Sequence, residues 1–312
     1  MLIVIATLAC SNLKTSASIS FDDPNPSPSK NIVVPYSEPP ERDSIAIARR
    51  YGKTIEPIPS GRLFREQKLG TLGTFWVVQP SEPRVSQVEA TLAWVSPRAL
   101  WYVETSTTFA VSELKKTALR FEADIAPTIL SEFGRGLQLP GPISILHAPL
   151  QSRDKSVDFG GYFNASDAEP SELNPYSNEW AGLVVNSALE IGSDRYLSTL
   201  THELQHLVHW FIDPGEETWL NEGLSESAVQ IMGMDRVPVQ NYLRDPTISL
   251  VNWPLDADLG LAHYAGSSLL MDYLRERLPT AGFGALVAEK RDGIAGIDAV
   301  IKRELPGSSF SS

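Results

Sequence analysis

Thiols are almost absent from this chain: Cys10 is the one cysteine in 312 residues. A single thiol excludes an intramolecular disulfide framework and any zinc site that needs several thiolates. Basic residues are scarce too, with 26 Lys and Arg against 38 Asp and Glu and a net charge of −12. Such a surface repels polyanions, so the reading is of a protein with no nucleic-acid partner. No segment reaches the ~20 consecutive apolar residues of a membrane span. The sequence also lacks an internal repeat.

What is present begins with a short apolar run, Met1 to Ala9, that ends on Cys10 and is followed by Ser11-Asn12. An apolar segment, a small residue and then cysteine resembles the cleavage site of a bacterial lipoprotein signal peptide, although no basic residue precedes it. The resemblance implies a lipid on Cys10, membrane attachment only through that anchor, and an extracellular or cell-surface location. The alternative is a buried strand with an inert thiol, because core strands also read as short apolar runs. Residues 10–44 carry Pro24, Pro26, Pro28, Pro35, Pro39 and Pro40 among Ser and Asn, which reads as an extended tether.

Beyond the tether, 42% apolar content suits a globular protein with a core. Between residues 45 and 111 the signals are of strands: Thr74-Phe-Trp-Val-Val78, then Val88, Ala90, Leu92 and Trp94 alternating with polar residues, then Leu100-Trp-Tyr-Val103. Period-two alternation predicts a small antiparallel sheet with one solvated face. From residue 112 to 312 a second region is expected. It opens with a helix from Ser112, a candidate N-cap, to Phe133, carrying Leu114, Ala118, Phe121, Ile125 and Ile129 at helical spacing, with Pro127 set to kink it. Ile143-Ser-Ile-Leu146 and Leu183-Val-Val185 are candidate buried strands, and the long polar loop between them is a place where binding surfaces tend to sit. The chain is mostly helical from Ser193 onward. It ends on the loose tail Ser308-Ser-Phe-Ser-Ser312, so this region is expected to be short at its C-terminus.

The chemistry concentrates in Thr201-His-Glu-Leu-Gln-His206. Its H-E-x-x-H pattern places His202 and His206 one turn apart on one helix face, the spacing that suits zinc. Glu203, between them, is the natural base for a metal-activated water. Leu197, Leu200, Leu204, Leu207 and Phe211 form a stripe on the other side, so the histidines are expected to look into a cleft. A catalytic zinc wants a third protein ligand. Downstream, Glu216-Glu-Thr-Trp-Leu-Asn-Glu-Gly-Leu-Ser-Glu226 begins a second helical pattern in which Glu222 and Glu226 share a face. Glu222 is the expected third ligand, and Glu226 is placed to hydrogen-bond the free ring nitrogen of a ligand histidine. The bland alternative is a solvated acidic helix face. Asp213, Glu216 and Glu217 are oxygen donors near the site, so Ca2+ is conceivable beside Zn2+, but an exposed acidic loop is the plainer reading. His209 is discounted as a ligand, and His147 is read as structural.

His202-Glu-x-x-His206 followed by Trp219-Leu-Asn-Glu-Gly223 resembles the gluzincin zinc peptidases, the group of thermolysin and the zinc aminopeptidases. The nearest resemblance, with Asn174-Pro-Tyr-Ser-Asn-Glu179 included, is to hyicolysin-type bacterial metallopeptidases. It implies an α+β, thermolysin-like catalytic domain, with a mixed sheet whose edge strand receives extended substrate and a helical half across the cleft. It also implies zinc ligation by His202, His206 and Glu222 and base function for Glu203. An oxyanion donor is needed as well. Ala262-His-Tyr-Ala-Gly-Ser-Ser-Leu-Leu-Met-Asp-Tyr273 is similar to the helix that bears a tyrosine in such enzymes, which selects Tyr264, with His263 second and a packed core tyrosine as the alternative.

The expected activity is zinc-dependent endopeptidase action on a peptide or protein substrate. Aminopeptidase action is the enzymatic alternative, although the glycine-x-methionine-glutamate-asparagine motif that captures a free N-terminus is missing. A non-catalytic surface-binding lipoprotein that keeps the fold is the third possibility.

Overall fold

The computed structural model describes residues 3–4, 44–80, 84–151, 158–254, 257–278 and 282–310. Cys10 and almost all of the signal and tether segments expected at 1–44 lie outside the described residues; of the apolar run, Ile3 and Val4 pair in parallel with Asp158 and Phe159.

The expected α+β architecture is present, a mixed sheet followed by a largely helical region in a thermolysin-like arrangement. The sheet has strands β1 (Leu72–Val78), β2 (Val85–Val95), β3 (Ala99–Glu104), β4 (Ile143–Ala148), β5 (Gly161–Phe163) and β6 (Gly182–Asn186), in the order β1-β2-β3-β4-β6-β5. β1, β2 and β3 pair antiparallel, β4 lies parallel to both β3 and β6, and β5 closes the order antiparallel to β6. The strands predicted before residue 111 therefore belong to the same sheet as those after it. Nor does β3 have a solvated face: Ala99 to Val103 are all buried. Alternation fails there because a strand joined in parallel to its neighbour is covered on both sides and reads as a continuous apolar run.

The two sides of the sheet bury different cores. Trp101, Val103, Ile143, Ile145, Leu183 and Val185 face the helices. Leu100, Tyr102, Leu146 and Val184 face the other way, into a second core with Phe75, Val77, Leu92 and Trp180. The sheet curls around that second core until its two end strands meet: the Val78 N–H of β1 donates to the Tyr162 hydroxyl of β5 at 2.8 Å. The Asn178 side chain pairs with both the N–H and the carbonyl of Trp76, at 2.8 Å each, and occupies the outer edge of β1. The long polar loop before β6 thus serves to close the sheet. Its buried Asp167 accepts from Asn178 and from the Trp180 indole, and burial raises its pKa to about 6.

Helix α1 (Val111–Arg120) leads through a π turn, Phe121–Ile125, into α2 (Ala126–Glu132), with Pro127 in the first turn of α2. The break expected at Pro127 is thus absorbed just upstream of it, in a wider turn that tolerates the missing N–H. Ser112 is inside the helix, and Ala110 stands at the N-cap without a side-chain bond. Helices α3 (Asp194–Ile212), α4 (Thr218–Ile231), α5 (Ala257–Arg277), α6 (Gly282–Val287) and α7 (Gly293–Glu304) follow, with one short helical turn, Gln240–Leu243, between α4 and α5. Among the described residues no helix is long and apolar enough to cross a membrane.

His147, on β4, is buried against the Tyr196 ring at a centroid distance of 5.6 Å, and burial lowers its pKa from 6.5 to about 4. Above pH 6.5 neither the folded nor the unfolded chain protonates this ring. As the pH falls from 6.5 to about 4, the unfolded chain gains a proton that the folded chain refuses, so stability is lost across that window, on the order of 3 kcal/mol in full. Urea unfolding at pH 7.5, 6 and 5 should show a smaller acid loss in His147→Gln than in the native chain; equal slopes would refute the assignment.

Candidate metal centre

Helix α3 carries the first two metal donors. Ser193 caps it, its hydroxyl accepting from the Tyr196 N–H at 3.3 Å, and Asp194 complements the dipole of the first turn. The leucine stripe packs into the main core as expected, with Leu200 and Leu207 fully buried. The opposite face differs from the open cleft expected: every residue from Tyr196 to His209 is buried, His202 at 0% and His206 at 1% exposure. Helix α4 covers it. Gly223 lets α4 press on α5, since a Cβ there would stand 3.0 Å from the Ser267 carbonyl oxygen and 3.1 Å from Met271.

The two helices bring three donor atoms together. His202 Nε2 lies 3.1 Å from Glu222 Oε2 and 3.0 Å from His206 Nε2, and His206 Nε2 lies 3.3 Å from Glu222 Oε2. Ligands about 2.0–2.1 Å from one tetrahedral zinc ion stand roughly 3.3 Å apart, so this triangle is of the right size. Among the described residues, this is the group of His, Cys, Asp and Glu side chains whose ligand atoms converge in this way. These three residues form a catalytic-type Zn2+ site.

The second nitrogen of each ring is also held, which turns the Nε2 atoms inward. His202 Nδ1 meets Glu226 Oε1 at 3.1 Å, and Glu226 Oε2 accepts from the Val237 N–H at 2.8 Å. His206 Nδ1 meets Asn221 Oδ1 at 2.9 Å and Ser225 Oγ at 3.0 Å. Asn221 and Ser225 are functional candidates that the sequence reading missed. Their signal was available: they are four apart and displaced by one residue from Glu222 and Glu226, so they form a parallel stripe on the same helix.

The electrostatics demand a cation. Burial works against charge on His202, yet hydrogen bonds to Glu222 and Glu226 and the field of Glu203 outweigh it and raise its pKa to about 10. Burial likewise opposes ionisation of Glu222, but the charge of His206 and bonds to both rings hold its carboxyl down to about 2. A proton here occupies the electrostatic place of a metal ion. Burial pushes Glu203 up, opposed by the two imidazoles. Its Oε2 accepts from the Phe163 N–H of β5 at 2.8 Å, and its Oε1 has no hydrogen-bond partner among the described residues.

The remaining candidates lie around this centre. The Tyr264 ring on α5 is 6.2 Å from that of His202 and edge-on to Trp253 at 5.0 Å, whereas His263 packs on Trp253 at 5.5 Å. His209 is buried, and burial holds its pKa down at about 3. Glu216 accepts from the N–H groups of Glu217 and Gly293, and Glu217 accepts from the Trp219 indole. In this way the acidic loop tethers α7 beside the metal helices.

No protein-family model and no curated protein matches the chain. Among solved structures it is similar to native yeast LTA4 hydrolase, with a TM-score of 0.45 and 14% identity, over 76% of this chain and 42% of that one. The chain thus spans less than half the length of that hydrolase. The mixed sheet is followed by a largely helical region in which two successive helices carry the His-His-Glu group.

Replacing Glu222 by Ala should abolish retention of zinc through gel filtration and chelator washing, while the native chain keeps about one ion per molecule. Elemental analysis of both proteins checks this, and equal retention would remove Glu222 from the ligand set.

Proposed function

We propose that this protein is a zinc-dependent peptidase that hydrolyses peptide bonds with a metal-activated water. The observation that carries the reading is Glu203: one oxygen is anchored by the Phe163 N–H, the other is unpartnered among the described residues, and both ligand histidines flank it in the sequence. Bound zinc would polarise the scissile carbonyl and make the attacking water more acidic. Glu203 Oε1 takes a proton from that water, and the protonated Glu203 returns it to the leaving amine. Glu226, Asn221 and Ser225 hold the two imidazoles in place throughout. Tyr264 is taken as the oxyanion donor before His263, because both rings pack on Trp253 and that of Tyr264 also lies 6.2 Å from His202. β5 is the terminal strand of the sheet, and the Phe163 N–H points to Glu203, which supports an extended peptide lying along that edge. The narrower likeness to hyicolysin-type enzymes rests on the sequence motifs.

Two modes of cleavage fit this chemistry. Internal cleavage is the reading the sequence favours, since it lacks the glycine-x-methionine-glutamate-asparagine motif that captures a free N-terminus. Aminopeptidase action is supported by depth: ligands at 0–1% exposure are reached more easily by a chain end than by the middle of a folded substrate.

Quenched fluorescent peptides with free and with acetylated N-termini test both points. Glu203→Gln should keep its zinc and lose about 10²–10⁴-fold in turnover. Zinc-loaded native protein that turns over no faster than this variant would leave only a non-catalytic binding role. Cleavage of the acetylated peptides selects the internal mode, and cleavage confined to free N-termini selects the aminopeptidase mode.

A further inference from the structure

We propose that Gln205 and Ser225 act as a pair that fixes the tautomer of His206 and thereby prepares it for zinc; this rests on the zinc reading above. Gln205 precedes His206 on α3, Ser225 faces it from α4, and both are fully buried at 0% exposure. The Ser225 hydroxyl lies between two partners: it donates to Gln205 Oε1, and its oxygen is 3.0 Å from His206 Nδ1.

The direction of these bonds follows from proton count. A hydroxyl has one proton, and an amide oxygen only accepts. Once the Ser225 proton is committed to Gln205, the same oxygen can only accept from His206. His206 must then carry its hydrogen on Nδ1, which leaves the Nε2 lone pair facing His202 and Glu222, at 3.0 and 3.3 Å. Asn221 Oδ1, 2.9 Å from Nδ1, favours the same tautomer but does not secure it alone. An amide that turns over presents its NH2 group instead, which would put the imidazole hydrogen on Nε2 and block the metal. Ser225 adds a second acceptor at Nδ1 while Gln205 presents its oxygen, so two groups instead of one would have to turn over to free that nitrogen. Gln205 and Ser225 are therefore positioning residues, acting on zinc only through His206.

The test uses the full chain and competition for zinc against a chelator of known affinity. Ser225→Ala removes the acceptor. Gln205→Met keeps the buried volume and Ser225, but frees the serine proton to point at Nδ1. Both should weaken zinc binding about 10- to 100-fold, and Ser225→Thr should restore most of the affinity. A second reading comes from imidazole nitrogen resonances of the zinc-free chain, because bound zinc would itself force the hydrogen onto Nδ1. The native protein should show His206 with hydrogen on Nδ1, and the two weakened variants should show that signal exchange-broadened or lost. Native-like zinc affinity in Gln205→Met, or an unchanged Nδ1–H signal in both variants, would overturn the proposal even if one variant folded poorly. Failure of the native chain to bind zinc would instead overturn the metal site itself.

Discussion

The structure around the site depends on one electrostatic constraint: the carboxylates of Glu203, Glu222 and Glu226 are buried together, and a positive charge must sit among them. Buried charges of one sign are costly unless paired at close range. Without metal, His202 supplies the pairing, its ring nitrogens each 3.1 Å from a carboxylate oxygen, Glu222 on one side and Glu226 on the other. This constraint explains why α3 and α4 must cross closely, and why Gly223 stands where the backbone of α5 leaves no room for a side chain. The helical region is organised to hold charge in place, and its apolar packing makes that possible.

The sheet contributes the Phe163 N–H, and does so by position. Gly160 and Gly161 allow β5 to lie against Thr199 of α3, since a Cβ at either would stand 2.6–2.8 Å from that side chain. That contact sets the height of the strand, and the height brings the Phe163 N–H to Glu203. The curl of the sheet has the same consequence, because the Tyr162 hydroxyl ties β5 to the far edge at Val78. Base and strand edge are therefore one mechanical unit, although 40 residues separate Phe163 from Glu203.

Local periodicity and motif spacing carried much of this in advance. The β1, β2 and β3 strands, the metal helix and the ligand set of His202, His206 and Glu222 were all legible, because each is written in residues close together in the sequence. Three features were not. The union of β3 with β4 depends on a partner some 40 residues away, and a strand covered on both faces loses its alternation. The closing role of the Asn178 loop depends on a pairing across 102 residues. The depth of the metal face was misjudged because the leucine stripe marks one buried side of α3 and is silent about the other, which is polar yet buried because α4 brings partners for it. A moment-based reading equates polar with exposed, and a metal helix breaks that equation.

The offset between the two stripes on α4 carries a further argument. Glu222 and Glu226 serve His202, while Asn221 and Ser225 serve His206 with uncharged acceptors. A carboxylate behind each histidine would have raised the buried negative charges from three to four. With a neutral partner behind His206, a divalent ion leaves one negative charge over, and that charge can reside on Glu203, the group with an unpartnered oxygen. Protonation of Glu203 then neutralises the centre, and loss of the proton restores a single negative charge. The asymmetry of the two histidine environments therefore keeps the charge of the buried site within one unit of zero, the range in which a proton can be taken up and released without a large desolvation cost.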